Sequence, residues 1–471
     1  GGVYCADMFT SILNCNFTND EANYGGGIYL DYGAYIYNAT MFNEIAVYDG
    51  GGIYLNSSNT ALNPVILQQL LLDNKVGVID SLIVGCIAGR DGGAGYVYGD
   101  YGIVNNLTMI NNRAGRGGGA GYVYGNYGRL YNSTMINNTC GDDGGALFWQ
   151  GNGGTVVNIT CTVNFAGDVG GSIFILGSNL TFTDSTFILS NATTNGGALY
   201  IYGDNVLINN YTFDRCSANM EHGGAIYAAG KNTTISNSTF TMNKVNVTTE
   251  ALGGAIYVEG NDTKILDSTF IKCTAYEGGV LYVTGANTLL DNLTCMFSLA
   301  ANGGAFYING NDAVVSNTNV SLNNATDYGG AIYVAGNNVL ITSAEFDKCI
   351  AYDFDGGAIY ISGLNATISE SQFLMNRVGG TEARGGSIYV QGADAKILNS
   401  TFEKCTAYEG GVVYVNGDNA LLDNLTCMFS FAVNGGAFYI NGNDAVVSNT
   451  DVSYNNATGY GGAIYVAGNN A

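Results

Sequence analysis

Few side chains of this 471-residue sequence have the chemistry for catalysis. Asp142 and Asp143 are the best pair of carboxylates, and paired carboxylates are what acid–base cleavage of a polysaccharide requires. The one histidine, His222, follows Glu221 and has no matched Ser or Cys nucleophile, so we interpret it as a loop residue. The sequence therefore predicts no catalytic residues and no enzymatic activity, with a polysaccharide lyase or hydrolase centred on Asp142 as the alternative.

Four charged residues occupy one repeated position, two residues before a Gly-Gly pair: Arg90, Arg116, Asp142 and Asp168. In the folded chain they would stack into one column. Such a column either holds a sugar acid or a metal ion, or neighbouring charges neutralise each other, which is the simpler interpretation. The turn acids Asp262, Asp312 and Asp444 could bind Ca²⁺ only weakly, because they lack an oxygen-rich loop of the spacing that a strong site uses. No Cys-x-x-Cys motif or cluster of Cys and His is present, so we expect no cofactor and no metal site.

These residues belong to a repeat that runs through the whole sequence. A Gly-Gly-small-aliphatic-aromatic segment recurs 18 times, most often at intervals of 25 to 27 residues. Its aromatic residue is Tyr4, Tyr29, Tyr54, Tyr96, Tyr122, Phe148, Phe174, Tyr200, Tyr227, Tyr257, Tyr282, Tyr307, Tyr333, Tyr360, Tyr389, Tyr414, Tyr439 or Tyr465. Between these segments runs a second pattern, Phe-x-x-Asn, as at Phe240 to Asn243, in which Cys replaces Asn in four repeats. Three short strands per repeat, joined by Gly and Asn turns, are typical of a coil of a parallel β-helix.

The repeat predicts an all-β fold, a single-stranded right-handed parallel β-helix of about 18 coils, as one continuous solenoid over residues 1–471. The largest insertion lies within residues 56–91. Residues 302–318 are identical to residues 434–450, so we expect duplicated five-coil blocks near 253–384 and 385–471, the second of them incomplete. Neither end carries an evident polar cap, which indicates a fragment or a stacking subunit of a longer array.

The aromatic column is the most prominent candidate surface. Alternate residues of a strand share one face, and the two columns that flank the aromatic residue are aliphatic, so we expect the aliphatic columns inside and the aromatic column outside. The predicted exposed ribbon comprises Tyr200, Tyr227, Tyr257, Tyr282, Tyr307, Tyr333, Tyr360, Tyr389, Tyr414, Tyr439 and Tyr465. Such a ribbon either contacts glycans, or mates with a like subunit, or simply stabilises the sheet by stacking, with loops partly covering it.

The sequence has 11 cysteines and 21 Asn-x-Ser/Thr sequons. The Phe-x-x-Cys residues fall on non-adjacent coils, so we expect most thiols to be buried rather than joined in a disulfide framework. The candidate N-glycosylation sites, which an inward Phe or its equivalent places on the outside, are Asn106, Asn132, Asn237, Asn292, Asn399 and Asn424. Asn and Thr are so abundant that many sequons also arise as ordinary ladder residues of a β-solenoid.

The charge of the chain excludes two classes of partner. Acidic residues outnumber basic ones 38 to 15, which gives a net charge of −23. Nucleic acids and anionic membranes are bound through Lys and Arg, so we expect neither as a partner. No run of 18 apolar residues occurs, and the first four residues lack the features of a signal peptide, so we expect no membrane insertion by this segment.

The paired signatures, Gly-Gly-Ala-Ile-Tyr as at Gly329 to Tyr333 and Phe-x-x-Asn as at Phe240 to Asn243, resemble the repeats of chlamydial polymorphic outer-membrane proteins. They are even more similar to the adhesin-like surface proteins of methanogenic archaea. The resemblance covers essentially the whole chain and implies a secreted glycoprotein of the cell surface that serves adhesion or envelope structure, as an adhesin or a subunit of a fibre or sheath. Its expected partners are like subunits, stacked end to end or laterally, and cell-surface polysaccharide. The alternative is a carbohydrate-binding or carbohydrate-active β-helix similar to pectate lyases and polygalacturonases.

Overall fold

The computed structural model describes residues 2–5, 10–31, 35–57, 77–246 and 249–470. The regular elements in these ranges are short strands, and their pairings are parallel. The strands stack coil upon coil as a right-handed parallel β-helix, which confirms the predicted fold class. Residues 58–76 of the predicted insertion lie outside the described residues, whereas residues 77–91 form the coil strands Gly77–Ile79, Leu82–Val84 and Ile87–Ala88.

The chain forms two compact units, residues 1–220 with 224–234 and residues 221–223 with 235–471. In each unit, nine strands carry the aromatic residue of the repeat, and we call them the aromatic strands. In the first unit they are Val3–Cys5, Ile28–Asp31, Ile53–Asn56, Gly95–Tyr98, Gly121–Val123, Leu147–Trp149, Ile173–Ile175, Leu199–Ile201 and Ile226–Ala228. In the second unit they are Ile256–Val258, Leu281–Val283, Phe306–Ile308, Ile332–Val334, Ile359–Ile361, Ile388–Val390, Val413–Val415, Phe438–Ile440 and Ile464–Val466.

One coil of the first unit illustrates how the chain turns. The aromatic strand Gly121–Val123 is followed by Arg129–Tyr131, Thr134–Ile136 and the two-residue strand Thr139–Cys140, so the three predicted strands gain a short fourth. Asn132 and Asn137 form the corners between these strands, with φ of 50° and 52°. Asn tolerates this left-handed conformation better than most residues, which explains why it recurs at corners.

The two glycines of the Gly-Gly pair are needed for different structural reasons. The first residue, as at Gly118, has φ of 66°, a conformation that favours glycine. The second, as at Gly119, lies against the backbone of the next coil, where an added Cβ would come within 2.1 Å of the Gly145 carbonyl oxygen. Backbone freedom at the first glycine and small size at the second thus recur along the coils, which accounts for many glycines of the sequence.

The core of each coil is built from two inward-facing surfaces. Leu147 and Trp149, on either side of Phe148 in its aromatic strand, are 3% and 1% exposed, as the alternation predicted. The Phe of the Phe-x-x-Asn pattern is also buried. In the second unit Phe346 and Phe373 stack with ring centroids 4.8 Å apart, and Phe373 and Phe402 with centroids 4.6 Å apart.

The Asn of that pattern forms a buried polar ladder. Asn138 Nδ2 donates to the Met109 carbonyl at 3.0 Å, and Asn138 Oδ1 accepts from the Asn112 backbone N–H at 3.0 Å. Asn138 N in turn donates to Asn164 Oδ1 at 2.9 Å. Each amide therefore satisfies backbone groups that the corner would otherwise leave unpaired, at no exposure to water.

Cysteines that replace Asn in this ladder are buried too. Cys349 Sγ lies 3.2 Å from the Val320 carbonyl, and Cys349 N donates to Asn376 Oδ1 at 2.9 Å. Nine of the 11 cysteines are buried, the other two, Cys5 and Cys15, are partly exposed, and all 11 are free thiols. These observations confirm the prediction of buried thiols rather than a disulfide framework.

We expect a thiol reagent to label at most two cysteines of the native protein, Cys5 and Cys15, and all 11 after denaturation. Burial raises the pKa of the buried thiols, for example that of Cys86 to about 12, so they are protonated as well as inaccessible at neutral pH. Mass spectrometry of the labelled protein measures both numbers. Labelling of four or more thiols in the folded protein would contradict the packing.

Candidate functional site

The aromatic column does not form the exposed ribbon that the sequence predicted. It faces away from the aliphatic core, but none of its eleven predicted residues is exposed. Tyr257, Tyr282, Tyr360, Tyr389 and Tyr414 are buried, at 5–9% exposure, and Tyr200, Tyr227, Tyr307, Tyr333, Tyr439 and Tyr465 are half-buried. The prediction that these rings are exposed is therefore wrong, although the predicted column of aromatic residues is present.

Two kinds of contact cover these rings. Successive rings of the second unit stack with centroids 4.6–5.5 Å apart, so each ring shields the faces of its neighbours. Side chains from the position just before the Gly-Gly pair then cover the outer edges. Tyr328 contacts the Tyr360 ring at 4.8 Å between centroids, and the Arg384 guanidinium lies 5.2 Å from the Tyr414 ring centroid. We call this position the flanking column.

Among the exposed aromatic side chains, two stacked tyrosine pairs lie on two consecutive coils of the first unit. Residues 95–102 read Gly-Tyr-Val-Tyr-Gly-Asp-Tyr-Gly, and residues 121–128 repeat that order with one Asp-to-Asn difference. Each octapeptide adds two tyrosines beyond the aromatic column: Tyr98 and Tyr101 in the first, Tyr124 and Tyr127 in the second. These four side chains, which we call the tyrosine platform, are 37–51% exposed.

The platform is ordered by pairwise stacking. Tyr98 and Tyr124 lie two residues beyond the aromatic column on the same outer face, and their ring centroids are 5.2 Å apart at an interplanar angle of 18°. Tyr101 and Tyr127 occupy the following turn, with φ of 62° and 58°, and stack at 5.1 Å and 14°. Sequence reasoning missed these residues because it followed one column, although the repeated octapeptide was visible.

A cleft borders the platform on the side of the flanking column. It is an open space of about 450 Å³ lined by Asp91, Arg116, Gly117, Tyr122, Asp142, Asp143 and Phe148. Tyr122 links the two features, because it lines the cleft and stands two residues before Tyr124 in the same chain segment. The Tyr122 hydroxyl donates to Gln150 Oε1 at 2.7 Å, and its ring stacks on Phe148 at 4.5 Å between centroids.

The predicted charge column is present but is not neutralised as expected. Backbone hydrogen bonds join its members from coil to coil. Arg116 N donates to Arg90 O at 2.7 Å, Asp142 N to Arg116 O at 2.9 Å, and Asp168 N to Asp142 O at 2.8 Å. The two arginines pair instead with the flanking column, Arg90 with Asp49 and Arg116 with Asp91. In the part of the chain that the structure describes, Asp142 and Asp143 form no ion pair.

Asp143 has the most perturbed carboxyl group of the cleft. Burial, and then the negative charge of Asp168, raise the pKa of Asp143 to about 6. Its Oδ1 atom is buried and has no hydrogen-bond partner among the described residues. Asp91 is fully engaged by comparison, because Arg116 and the Gly117 backbone N–H both donate to it.

The other residues singled out from the sequence lie outside this cleft. His222 stacks on the Tyr257 ring at 4.7 Å between centroids, and burial lowers its pKa. The turn acids accept hydrogen bonds from the next coil, as Asp262 Oδ1 does from Asn287 Nδ2 at 3.1 Å. Within the described ranges, no group of three or more His, Cys, Asp or Glu residues is arranged to hold a metal ion.

The six candidate N-glycosylation sites are all exposed corner residues. They have φ of 50–56°, so the left-handed turn alone explains an Asn at each position. Their side-chain amides join coils, as Asn424 Nδ2 does by donating to Asn399 Oδ1 at 2.8 Å. Glycosylation of Asn106, Asn132, Asn237, Asn292, Asn399 and Asn424 stays a prediction.

No protein-family model and no curated protein matches the chain. Among solved structures it is similar to PfbA, a surface adhesin of Streptococcus pneumoniae, with 13% identity over 80% of this chain and 83% of that chain and a TM-score of 0.30. It is also similar to a mutant tailspike protein of Escherichia coli bacteriophage HK620 in complex with a pentasaccharide, with 14% identity over 88% and 72% of the two chains and a TM-score of 0.35. These likenesses are too weak to carry an argument about ligand or activity. No helix among the described residues has the length and hydropathy to cross a membrane.

Proposed function

We propose that this protein is a non-enzymatic, extracellular structural and adhesive β-helix that binds cell-surface polysaccharide through the tyrosine platform. The observation that carries the proposal is the set of two stacked tyrosine pairs, exposed on consecutive coils of a rigid sheet. Flat, exposed aromatic rings suit the apolar faces of pyranose rings, and their hydroxyl groups suit the sugar hydroxyls. The motif resemblance and the strongly acidic, Asn-rich surface support a place outside the cell.

The dimensions of the platform suit an extended saccharide. Rings on consecutive coils are 5.1–5.2 Å apart, so each stacked pair offers two adjacent rings. The two pairs together provide contacts for more than one sugar unit. The scaffold is held by ladders of backbone hydrogen bonds, so little conformational entropy is lost when a ligand binds.

We expect the double substitution Tyr98→Ala and Tyr124→Ala to weaken binding of a neutral oligosaccharide about tenfold or more, because both exposed rings of one stacked pair are lost. Isothermal titration calorimetry with a hexasaccharide panel measures the change. Tyr202→Ala is the matched control, since Tyr202 holds the same repeat position and is 59% exposed, but lies outside the platform. Equal losses in both variants would contradict a role of the platform.

One observation favours the enzymatic alternative. Asp143, with its pKa near 6, lies beside Asp142 in a cleft that opens onto an aromatic ring, and a general acid needs such a raised pKa. Incubation of the protein with acidic and neutral polysaccharides, followed by a reducing-end assay, tests this alternative. Cleavage that is lost in Asp143→Asn would establish a hydrolase or lyase in place of a binding protein.

A further inference from the structure

A cavity lies inside the first unit, beneath the two coils that carry the tyrosine platform. The inward column of the aromatic strands runs in register through Ile53, Gly95, Gly121 and Leu147 on four consecutive coils. Its two glycines leave a largely enclosed space of about 40 Å³ between the strands. The lining is almost wholly apolar and includes Leu55, Ile83, Val97, Leu107, Leu130 and Trp149.

The backbone does not require glycine at these two positions. Neither Gly95 nor Gly121 has a positive φ. Among the described residues, an added Cβ at Gly95 would meet only the Ile53 carbonyl oxygen, at 3.8 Å. The same inward position holds Ile173 and Leu199 on later coils, where both are fully buried. The coil therefore tolerates a side chain at Gly95, and the absence of that side chain keeps the space open.

The core around the two glycines is packed less closely than the core further along the unit. Val97 and Val123 face inward on the two glycine-bearing strands, yet each is 7% exposed. Ile175 and Ile201 hold the same position two and three coils beyond Val123 and are 0% exposed. Well-packed protein interiors contain few voids larger than a water molecule. The cavity is thus a local feature of these coils and not a general property of the β-helix.

The lining decides what can occupy the cavity. Its volume exceeds the roughly 10–15 Å³ that one water molecule needs, but a buried water also requires several polar partners, which apolar walls do not offer. An apolar guest needs no hydrogen bond, and it supplies dispersion contacts to wall atoms that otherwise have no partner on one side. The space holds only a few atoms, which excludes a sugar ring or an acyl chain.

We infer that this cavity binds small apolar gas molecules and that a bound guest stiffens the strands beneath the tyrosine platform. Gly95 and Val97 of the strand Gly95–Tyr98 form part of the cavity wall, and Tyr98 extends from the outer face of the same strand. A guest therefore packs against the inner side of the backbone that positions the platform. The guest site lies inside the coil and exists whether or not the platform binds saccharide.

Xenon gas is the probe for this site. We expect xenon NMR to detect saturable binding, and hydrogen exchange of residues 95–98 and 121–123 to slow at saturating xenon. Gly95→Val places a side chain in the cavity and is expected to weaken xenon binding about tenfold or more and to remove the change in exchange. Thr155→Val is the control, because it adds the same residue on the outer face of a strand of the same unit, outside the cavity lining.

Thermal unfolding verifies that each variant is folded. Should Gly95→Val fail to fold, Gly95→Ala adds only the methyl group for which there is room, and it is expected to weaken xenon binding about threefold. Absence of saturable binding would overturn the site, and binding of equal strength in the filled variant would place the xenon elsewhere and overturn it too. Binding without slower exchange of residues 95–98 would overturn the stiffening of the platform strands. Saccharide binding by the platform is measured separately with the Tyr98→Ala and Tyr124→Ala double variant, so each proposal can fail without the other.

Discussion

Replacing Phe373 with alanine is expected to lower the free energy of unfolding of the second unit by about 3–5 kcal/mol. Phe373 is 2% exposed and lies between the rings of Phe346 and Phe402, with centroid distances of 4.8 and 4.6 Å. Its removal leaves a cavity bordered by two rings that are themselves fixed in strands, so the coil cannot collapse to fill the space. Both neighbouring coils lose a stacking partner at once.

The control for Phe373→Ala is Phe429→Ala. Phe429 belongs to the same unit but is 51% exposed at a corner, with φ of 58°, so its truncation removes little buried surface. Urea unfolding followed by circular dichroism gives both values, and hydrogen exchange shows whether the loss is confined to the coils next to residue 373. Because a solenoid coil contacts mainly its neighbours, we expect the largest loss of protection there. Similar destabilisation by both substitutions would contradict the packing of the Phe column.

The fold was predictable from the repeat because the same sequence pattern fits the same coil structure in each repeat. Three features recur together: a Gly-Gly pair, a strand whose two aliphatic residues face inward on either side of an aromatic residue, and a buried Phe-x-x-Asn segment. Local patterns and the global fold therefore agree. The ladder position that alternates between Asn and Cys also behaved as expected, since Asn138 and Cys349 both occupy it without exposure. A single coil would have been ambiguous; 18 similar segments were not.

The exposure of the aromatic column was not predictable in the same way. Alternation determines which face of a strand a side chain takes, but not what covers that face. The cover comes from the flanking column, whose residues vary from coil to coil: Tyr328 and Arg384 shield the rings near them, and Gly117 does not. The exposure of a ring therefore depends on the flanking residue of the preceding coil, about 30 positions earlier in the sequence, which the aromatic column alone does not reveal.

In the charge column, the repeat likewise predicted which residues stack but not which residues form ion pairs. Its stacking followed from the repeat, yet the partners of Arg90 and Arg116 are Asp49 and Asp91, one position nearer to the Gly-Gly pair and one coil earlier. Long side chains reach across columns, so register alone does not determine ion pairs. This diagonal pairing leaves Asp143 without a cation and gives the cleft its negative charge.

Replacing Gly304 with alanine is expected to cost about 3 kcal/mol of unfolding free energy, although only one methyl group is added. The new Cβ would lie 2.3 Å from the Gly330 carbonyl oxygen and 2.4 Å from the Asn324 carbonyl oxygen. Both contacts are backbone atoms of the next coil, so no side chain rotation relieves them. The coils must separate there, which lengthens the bond from Gly304 N to Gly329 O, already 3.2 Å long.

Gly95→Ala provides a control for Gly304→Ala, because Gly95 lies within a strand and an added Cβ there meets only the Ile53 carbonyl oxygen, at 3.8 Å. Since alanine also restricts the unfolded chain, Gly95→Ala should leave the unfolding free energy unchanged or raise it slightly. Urea unfolding of the two variants separates the effect of close approach between coils from the general effect of losing a glycine. If both substitutions were equally mild, the second glycine of the pair would be present for backbone freedom alone, and the tight contact between successive coils would not be what fixes it.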